Sequence, residues 1–411
     1  MDLQDEHSII NLKFMKITGF YQLIRPSDGS KLFNANIYMI AFIVHILILI
    51  LALIMGLYSI YFCINDINQI FNYSIMNFAN TFAIFKCYFI IKNAKTIWNY
   101  THMMSTNFLS FKNHTNEIYK IGRTRSSTLM FMSFGFWSSI VLYWSLSAIL
   151  SSNSYLKIES EDAIFNYRSN TIGLMYPVTD TFYNKYFHVF FITETIFLIF
   201  WAEIMWVFDI LMISVCICIE YQLKTIADSY SSLGLNHNES KRNNQSTKSV
   251  EAILDLELLI QDQQNIFEKM KNMYQILKPA TFIQLAAESF QIIFQPCMIL
   301  KFYFDGSLSP TIFLKLLFPE ITYLCHLFLT CYLFSIVNEQ KESMNFALYS
   351  SNWTDMSIKF KKLLLLTMRM NNAENLKMKI SMKSMVNMEM FANVVHTAYS
   401  IVSVMMKSLS T

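Results

Sequence analysis

IYMIAFIVHILILILALIMGLYSIYF, residues 37–62, decides the fold class of this chain. The run carries no charged side chain, and His45 is its one group that titrates near neutrality. About 20 apolar residues in a helix cross the roughly 30 Å of bilayer hydrocarbon, and this stretch exceeds that length. Working outward, six more stretches are long enough: 67–91, 128–150, 186–219, 280–304, 312–337 and a shorter amphipathic one at 384–406. Composition agrees. Charged residues make up 15% of the chain and hydrophobic residues 54%. Soluble domains are nearer about 25% charged, so there is too little polar surface to cover a soluble core. Only 8 glycines and 6 prolines leave few breaks, so helix dominates. The expectation is an all-α membrane protein with seven transmembrane helices. A net charge of +3 is too small to draw nucleic acid, and none is expected as a partner.

The placement of the basic residues orients the bundle. Alternate inter-span segments (1–36, 92–127, 220–279 and 338–383) hold 25 of the 32 Lys and Arg, and the opposite side holds 6. Lys86 falls within the second span. Basic segments stay in the cytoplasm, so the N-terminus is expected inside and, after an odd number of crossings, the C-terminus outside. The expected units are a cytoplasmic segment 1–36 and a six-helix region 37–337 with an outer loop 151–185 and an inner segment 220–279. A cytoplasmic anchor segment 338–383 and a last helix with its tail, 384–411, follow. Residues 1–36 hold Asp2, Asp5, Glu6 and several basic residues without an apolar run, so no cleavable leader is expected and the first span acts as its own insertion signal.

The inner segments also read as helices. Val250, Ile253, Leu254, Leu256, Leu259, Ile266, Met270, Met273 and Leu277 recur at helical spacing up to Lys278-Pro279, which reads as a stop. Residues 338–370 read as a second such helix, and 234–249 (GLNHNESKRNNQSTKS) as a flexible loop. Three spans are therefore expected to continue beyond the bilayer and pack together.

Chemistry-bearing motifs are scarce. The chain has no nucleophile–base pair, phosphate-binding glycine loop or metal-ligand spacing, so an enzyme, a cofactor and a metal are not expected. The seven dispersed cysteines read as buried single thiols. Glu194, Glu203 and Asp209 in the fourth span are costly in lipid and must face protein or water. Structural ion pairs are the plainer reading, with Glu194 alternatively bordering a vestibule. Aromatics crowd the outer halves of spans two to six, among them Phe71, Phe78, Phe82, Trp137, Tyr143, Trp144, Phe190, Phe191, Phe197, Phe294 and Tyr323. Such side chains wall an apolar pocket, or equally face lipid and its interface. In the last span Asn393, His396 or Thr397, Ser400 and Ser403 form one stripe, which lines a pore or packs inside a bundle. The sequon Asn72-Tyr73-Ser74 falls on the outer side as a weak glycosylation signal.

Several ordered stretches of the C-terminal quarter carry a resemblance: Glu342-Ser343, ALYSSNW (347–353), KFKKLLLLTMRM (359–370) and MEMFANVV (388–395), preceded by MYPVTD (175–180) in the outer loop. Together they resemble the insect odorant receptor family. Two departures stand out. Thr330-Cys331-Tyr332-Leu333-Phe334-Ser335 replaces the family's usual Tyr-Cys-x-x-Gly, and Gln263 stands where a histidine is common. The resemblance implies an odorant-gated non-selective cation channel of four subunits, with this chain a tuning subunit beside a co-receptor subunit, since it lacks the co-receptor's long inner insertion. The ligand implied is a small volatile molecule, the solvent is membrane lipid, and the location is the cell membrane of an olfactory neuron dendrite. Ligand contacts are then expected from Phe71, Ser74, Phe78, Phe82, Trp137, Val141, Trp144, Phe190, Glu194, Phe197, Phe294 and Tyr323. The pore and gate residues are expected to be His396, Ser400, Val404 and Ser408. Rival readings are a gustatory-type channel of the same superfamily, a G-protein-coupled receptor, which needs the opposite orientation, and a transporter, for which internal repeats are lacking.

Overall fold

The computed structural model describes residues 8–25, 31–32, 35–64, 66–111, 116–150, 155–159, 164–234, 245–306, 308, 310–373, 377, 379 and 385–410. The expectations for Asp2, Asp5, Glu6 and Lys112, for the central part of the loop at 235–244 and for Lys383 lie outside the described residues.

The chain is built from α1 (Leu12–Ile17), α2 (Phe20–Ile24), α3 (Ile37–Phe62), α4 (Ile67–Thr101), α5 (Asn116–Leu150), α6 (Asp180–Lys185), α7 (Phe187–Ser232), α8 (Gln245–Phe304), α9 (Pro310–Tyr349), α10 (Ile358–Ala373) and α11 (Met388–Ser410). Two short antiparallel hairpins, β1–β2 (Lys31–Leu32 and Ala35–Asn36) and β3–β4 (Tyr155–Glu159 and Ile164–Arg168), complete it. Six helices, α3, α4, α5, α7, α8 and α9, are long and apolar enough to cross a membrane. The seventh, α11, has 23 residues, about 35 Å at 1.5 Å per residue, and is amphipathic. The chain is a multi-pass membrane protein.

Helices occupy all seven expected stretches, six of them apolar enough to cross a membrane among the described residues, and the first matches α3 residue for residue. Its outward face, Ile43, Leu47, Ile50, Leu51, Ile54 and Leu57, is exposed, as a lipid-facing helix must be. Its inner face carries Gly56 against α4, where a Cβ would lie 2.0 Å from Asn77 Oδ1. Small residues let membrane helices approach closely, and the Asn80 side-chain amide uses that approach to reach the Leu49 carbonyl at 2.8 Å. Gly56→Ala is therefore expected to displace the Asn77 side chain from the α3–α4 contact and to cost about 1–3 kcal/mol. A thermal melt of the detergent-solubilised protein checks this, and an unchanged midpoint would refute the close approach.

The long spans extend well past a bilayer. At 1.5 Å per residue, the 60 residues of α8 reach about 90 Å and the 46 of α7 about 70 Å. Beyond the membrane region α7, α8 and α9 pack together, with α10 against α8 and α9. This is the basic end; the opposite end, with β3–β4, is the hairpin end. The inner half of α7 is almost wholly buried from Ile204 to Leu223. Around it runs a polar ladder. The Tyr230 hydroxyl donates to Gln263 Oε1 (2.8 Å), Gln263 Nε2 to Asn371 Oδ1 (2.5 Å), and Asn371 Nδ2 to Asn345 Oδ1 (3.0 Å). Gln263 can serve here because its amide both accepts and donates at one buried position. Asp262, one residue earlier, accepts the backbone N–H groups of Ser110 and Phe111 at 2.9–3.0 Å. Residues 8–25 pack into the same body, with Ile9, Ile10, Leu12, Met15 and Phe20 fully buried.

Two boundary expectations are corrected. Pro279 does not end the inner helix, because α8 continues through Pro279 and Pro296. A proline costs one helical hydrogen bond, and burial of Leu277, Ala280 and Thr281 holds the segment helical through it. Conversely, 338–370 is not one helix. The chain breaks at 350–357, where Ser351 Oγ caps back onto the Leu348 carbonyl and the Asn352 amide donates to the Leu233 carbonyl, drawing the chain across to the end of α7. The serine and asparagine side chains compete with helix geometry there.

Candidate functional site

Near the hairpin end the helices splay around a chamber of about 920 Å³. Ligand cavities commonly run about 300–1,000 Å³, so it is large enough for a small organic molecule. Its walls come from α3 (Leu49, Ala52), α4 (Tyr73, Met76, Asn77, Asn80), α5 (Ile140, Trp144), α7 (Phe197, Leu198, Trp201), α8 (Gln295, Met298) and α9 (Leu316, Pro319, Tyr323). Residues 167–175, the end of β4 and the loop before α6, line it towards the hairpin end.

That loop is pinned by one side chain. Glu194 of α7, with no solvent exposure, accepts three consecutive backbone N–H groups. Its Oε2 takes Ile172 (2.6 Å) and Gly173 (2.9 Å), and Oε1 takes Leu174 (3.1 Å). The N–H groups converge because Gly173 adopts φ +78°, which forms an anion-binding concavity and suits glycine. The loop is fastened again where the Tyr73 hydroxyl donates to the Gly173 carbonyl (2.5 Å) and the Met175 amide donates to Ser59 Oγ (2.8 Å). Above it Tyr167, Tyr176, Tyr183, Phe187 and Phe190 form an aromatic cluster, with Tyr183 and Phe190 stacked at 4.7 Å. Burial, with Glu194 nearby, pushes the Tyr176 and Tyr183 hydroxyls well above the usual phenol range, so both stay neutral.

Below the chamber lies a crevice of about 20 Å³, walled by Phe78, Phe82, Lys86, Trp137, Met205, Glu288, Gln291 and His326. Ala79 and Tyr323 line both spaces, so the crevice continues the chamber downward. At its base His326 of α9 is held between two carboxylates, Nε2 2.6 Å from Asp209 Oδ1 of α7 and Nδ1 2.5 Å from Glu288 Oε1 of α8. Asp209 Oδ2 also accepts from Ser133 Oγ (2.6 Å) and Trp137 Nε1 (2.8 Å) of α5. Lys86 of α4 is fully buried, its ammonium over the rings of Phe82 (4.6 Å) and Phe208 (4.5 Å). Five helices thus meet at one charged cluster. A second tie lies nearer the basic end, where Arg125 pairs with Glu220 (2.6 Å) and donates to the Tyr332 hydroxyl.

The expected contacts divide. Trp144, Phe197 and Tyr323 line the chamber, and Phe78, Phe82, Trp137 and Tyr323 line the crevice. Phe190 belongs to the aromatic cover and Glu194 lies beneath it. Val141 is half-buried, Ser74 is exposed, and Phe71 pairs with Phe294 at 5.6 Å, none of the four lining either space. Of the three acids, Asp209 and Glu203 meet histidines, the latter His45 at 3.0 Å. Glu194 anchors backbone amides. Asn72 of the sequon sits within a helix and lines the chamber, not an open loop. Sequence reasoning missed Glu288, His326 and the loop lining. Ionisable side chains inside spans were the available signal, and Lys86 was noted only as an intramembrane charge. On α11, Asn393, His396, Thr397, Val404 and Ser408 are exposed while Ser400 and Ser403 are half-buried; α11 packs on α8 and α9 through residues such as Phe391 and Ala398.

A large, mostly apolar chamber between membrane-spanning helices places the chain among membrane proteins with room for a small molecule. A family model described as 7tm Odorant receptor matches residues 66–399, and the chain belongs to that odorant receptor family. Two solved structures share the fold. The insect olfactory receptor OR5 from Machilis hrabei in complex with eugenol superposes with a TM-score of 0.74 at 15% identity, over 96% of this chain and 98% of that one. A second structure of OR5 from Machilis hrabei gives 0.71 at 16% identity over the same shares. A search of curated proteins finds no match.

Proposed function

We propose that this chain is a subunit of an odorant-gated, non-selective cation channel that takes a small volatile molecule in the chamber. The chamber itself, about 920 Å³ and lined by residues 167–175, is the observation that carries the reading. Family membership supports it, as does the OR5 structure solved with eugenol, a small volatile ligand. In this reading the basic end is cytoplasmic and the hairpin end outside, following the lysine and arginine bias. The units are the segment 1–36, the ligand-binding region 37–337, the anchor 338–383 and the pore helix with its tail 384–411.

The pore is lined by α11 from each of four subunits, of which one or more is a co-receptor. An amphipathic α11 supports this: its hydroxyls back-bond to its own carbonyls, Ser400 Oγ to His396 (2.9 Å) and Ser408 Oγ to Met405 (3.1 Å), so the helix tolerates a wet or a packed surface. His396 and Ser400 line the conduit, and Val404 and Ser408 stand at gate level. The exposed apolar side chains of the basic end, among them Phe346, Ile358, Leu365 and Leu366, suit contact between subunits. Ligand binding opens the pore only to the extent that the ligand binds the open arrangement better.

The test is electrical. Cells expressing the chain with a co-receptor, and with G-protein signalling blocked, are expected to pass cation current within the application of an active odorant. Persistent silence across a broad volatile panel, with both subunits at the surface, would discard the channel reading.

A further inference from the structure

The apolar chamber ends in a crevice whose polar groups are not all satisfied. Lys86 is fully buried, lines the crevice, and its Nζ has no hydrogen-bond partner among the described residues. Gln291, 2% exposed, lines it from α8, and its Nε2 also lacks a partner. Unpaired buried donors are costly, and each such group in a native protein calls for a partner. Two donors, on α4 and α8, and one carboxylate oxygen, Glu288 Oε2 of α8, thus lack partners on residues that line one small space. We propose that the crevice is a head-group subsite for neutral, oxygen-bearing volatiles, in which a ketone or ester carbonyl oxygen accepts from Lys86 and Gln291 while the hydrocarbon tail fills the chamber above. The inference rests on the odorant reading of the chamber and names its ligand class.

Size and charge select that class. A space of about 20 Å³ is little more than the roughly 10–15 Å³ that admits one water. It receives one oxygen and its carbon, not a ring. The charge of the cluster does not depend on where the shared protons sit. His326 between Asp209 and Glu288 bridges two carboxylates, and the trio carries a net charge of about −1 whether the ring is an imidazolium or one carboxyl holds the proton. The Lys86 ammonium balances it. A carboxylate ligand would leave the cluster one negative charge in excess, and an amine one positive, in a setting where uncompensated charge is heavily penalised. A neutral acceptor satisfies the donors and leaves the balance intact. Phe82 and Phe208 hold the ammonium over their faces without consuming its N–H groups, so the donors remain directed to a ligand.

Intrinsic tryptophan fluorescence offers a readout separate from gating, because Trp144 and Trp201 line the chamber and Trp137 the crevice. Full-length protein in lipid nanodiscs is titrated with 2-octanone, n-nonane, octanoate and octylamine, each concentration corrected for membrane partition. The ketone is expected to bind roughly 10- to 100-fold tighter than the alkane, the size of one charge-assisted hydrogen bond. Lys86→Met is expected to erase most of that advantage, and Gln291→Leu part of it, while Lys86→Gln, which keeps a donor, retains some. Should Lys86→Met fail to fold, the wild-type ranking and Gln291→Leu decide. Equal affinities for ketone and alkane would mean that the crevice holds water alone and overturns the proposal, as does a preference for octanoate or octylamine. Equal losses for ketone and alkane in Lys86→Met overturn it too. Ketone preference in fluorescence without any current sinks the channel reading and spares this one. Current without head-group preference does the reverse.

Discussion

Replacing His326 with leucine is expected to cost about 3–5 kcal/mol, the range for removing one partner from a buried ion pair. Most of the protein should then be lost from the cell surface. The ring touches both Asp209 and Glu288, at 2.6 Å and 2.5 Å, and all three side chains are less than a tenth exposed. Without it, two carboxylates share a membrane-embedded site with only Lys86 to offset them, and Lys86 makes no hydrogen bond to either. Relief comes through protonating one acid, which lowers the penalty without abolishing it, because the lost hydrogen bonds are not replaced. The sharper part of the expectation is rescue. Adding Glu288→Gln to His326→Leu removes one of the stranded charges and should restore much of the surface signal, whereas adding Lys86→Met should deepen the loss. Surface labelling and the thermal midpoint in detergent measure both. Normal expression of His326→Leu, or a double variant with Glu288→Gln no better than the single one, would show that the cluster does not hold the helices together.

The same cluster shows how far the sequence could be read. Apolar length and the run of residues 37–62 determine the spans almost by themselves, because a bilayer tolerates few other solutions for a backbone. Helix ends were less legible. Pro279 and Ser350-Ser351-Asn352 both look like local signals, yet tertiary packing overrides the first and heeds the second. The chamber was legible as a class of surface and not as a set of residues. Phe71 and Phe197 are alike in sequence context, and only helix rotation puts Phe197 on the chamber and Phe71 beside Phe294. Charged partners drawn from different spans, such as Asp209, Glu288 and His326, are invisible to spacing rules because the contacts join residues 38 and 117 positions apart. Their presence inside spans was visible; their convergence was not. The loop lining was missed for a related reason. A glycine such as Gly173 reads as a turn, and nothing local announces that its neighbours' amides face a glutamate 21 residues onward.

That glutamate supports the second large expectation. Glu194→Ala is expected to release the cover of the chamber while leaving the bundle folded. The carboxylate accepts three backbone N–H groups, and a hydrogen bond to a charged group contributes about 1.5–3 kcal/mol. The three are not additive, so a loss of about 3 kcal/mol in local stability is a modest figure. It falls on the loop because the loop has a cheaper escape than the helices: once unpinned, the amides of Ile172, Gly173 and Leu174 can turn to water, whereas α7 remains packed along its whole inner half. Hydrogen exchange reads the effect directly. Protection of those three amides should drop by roughly 100-fold or more, since about 1.4 kcal/mol is tenfold, with amides of the inner half of α7 unchanged. Glu194→Gln should fall between, because one oxygen still accepts while the new NH₂ faces donors it cannot satisfy. An open cover also admits water to the chamber, so apolar ligands should bind more weakly in the alanine variant. If the three amides exchange as slowly in Glu194→Ala as in the native chain, the closure is held by the aromatic cluster of Tyr167, Tyr183 and Phe190 instead, and Glu194 is not the latch.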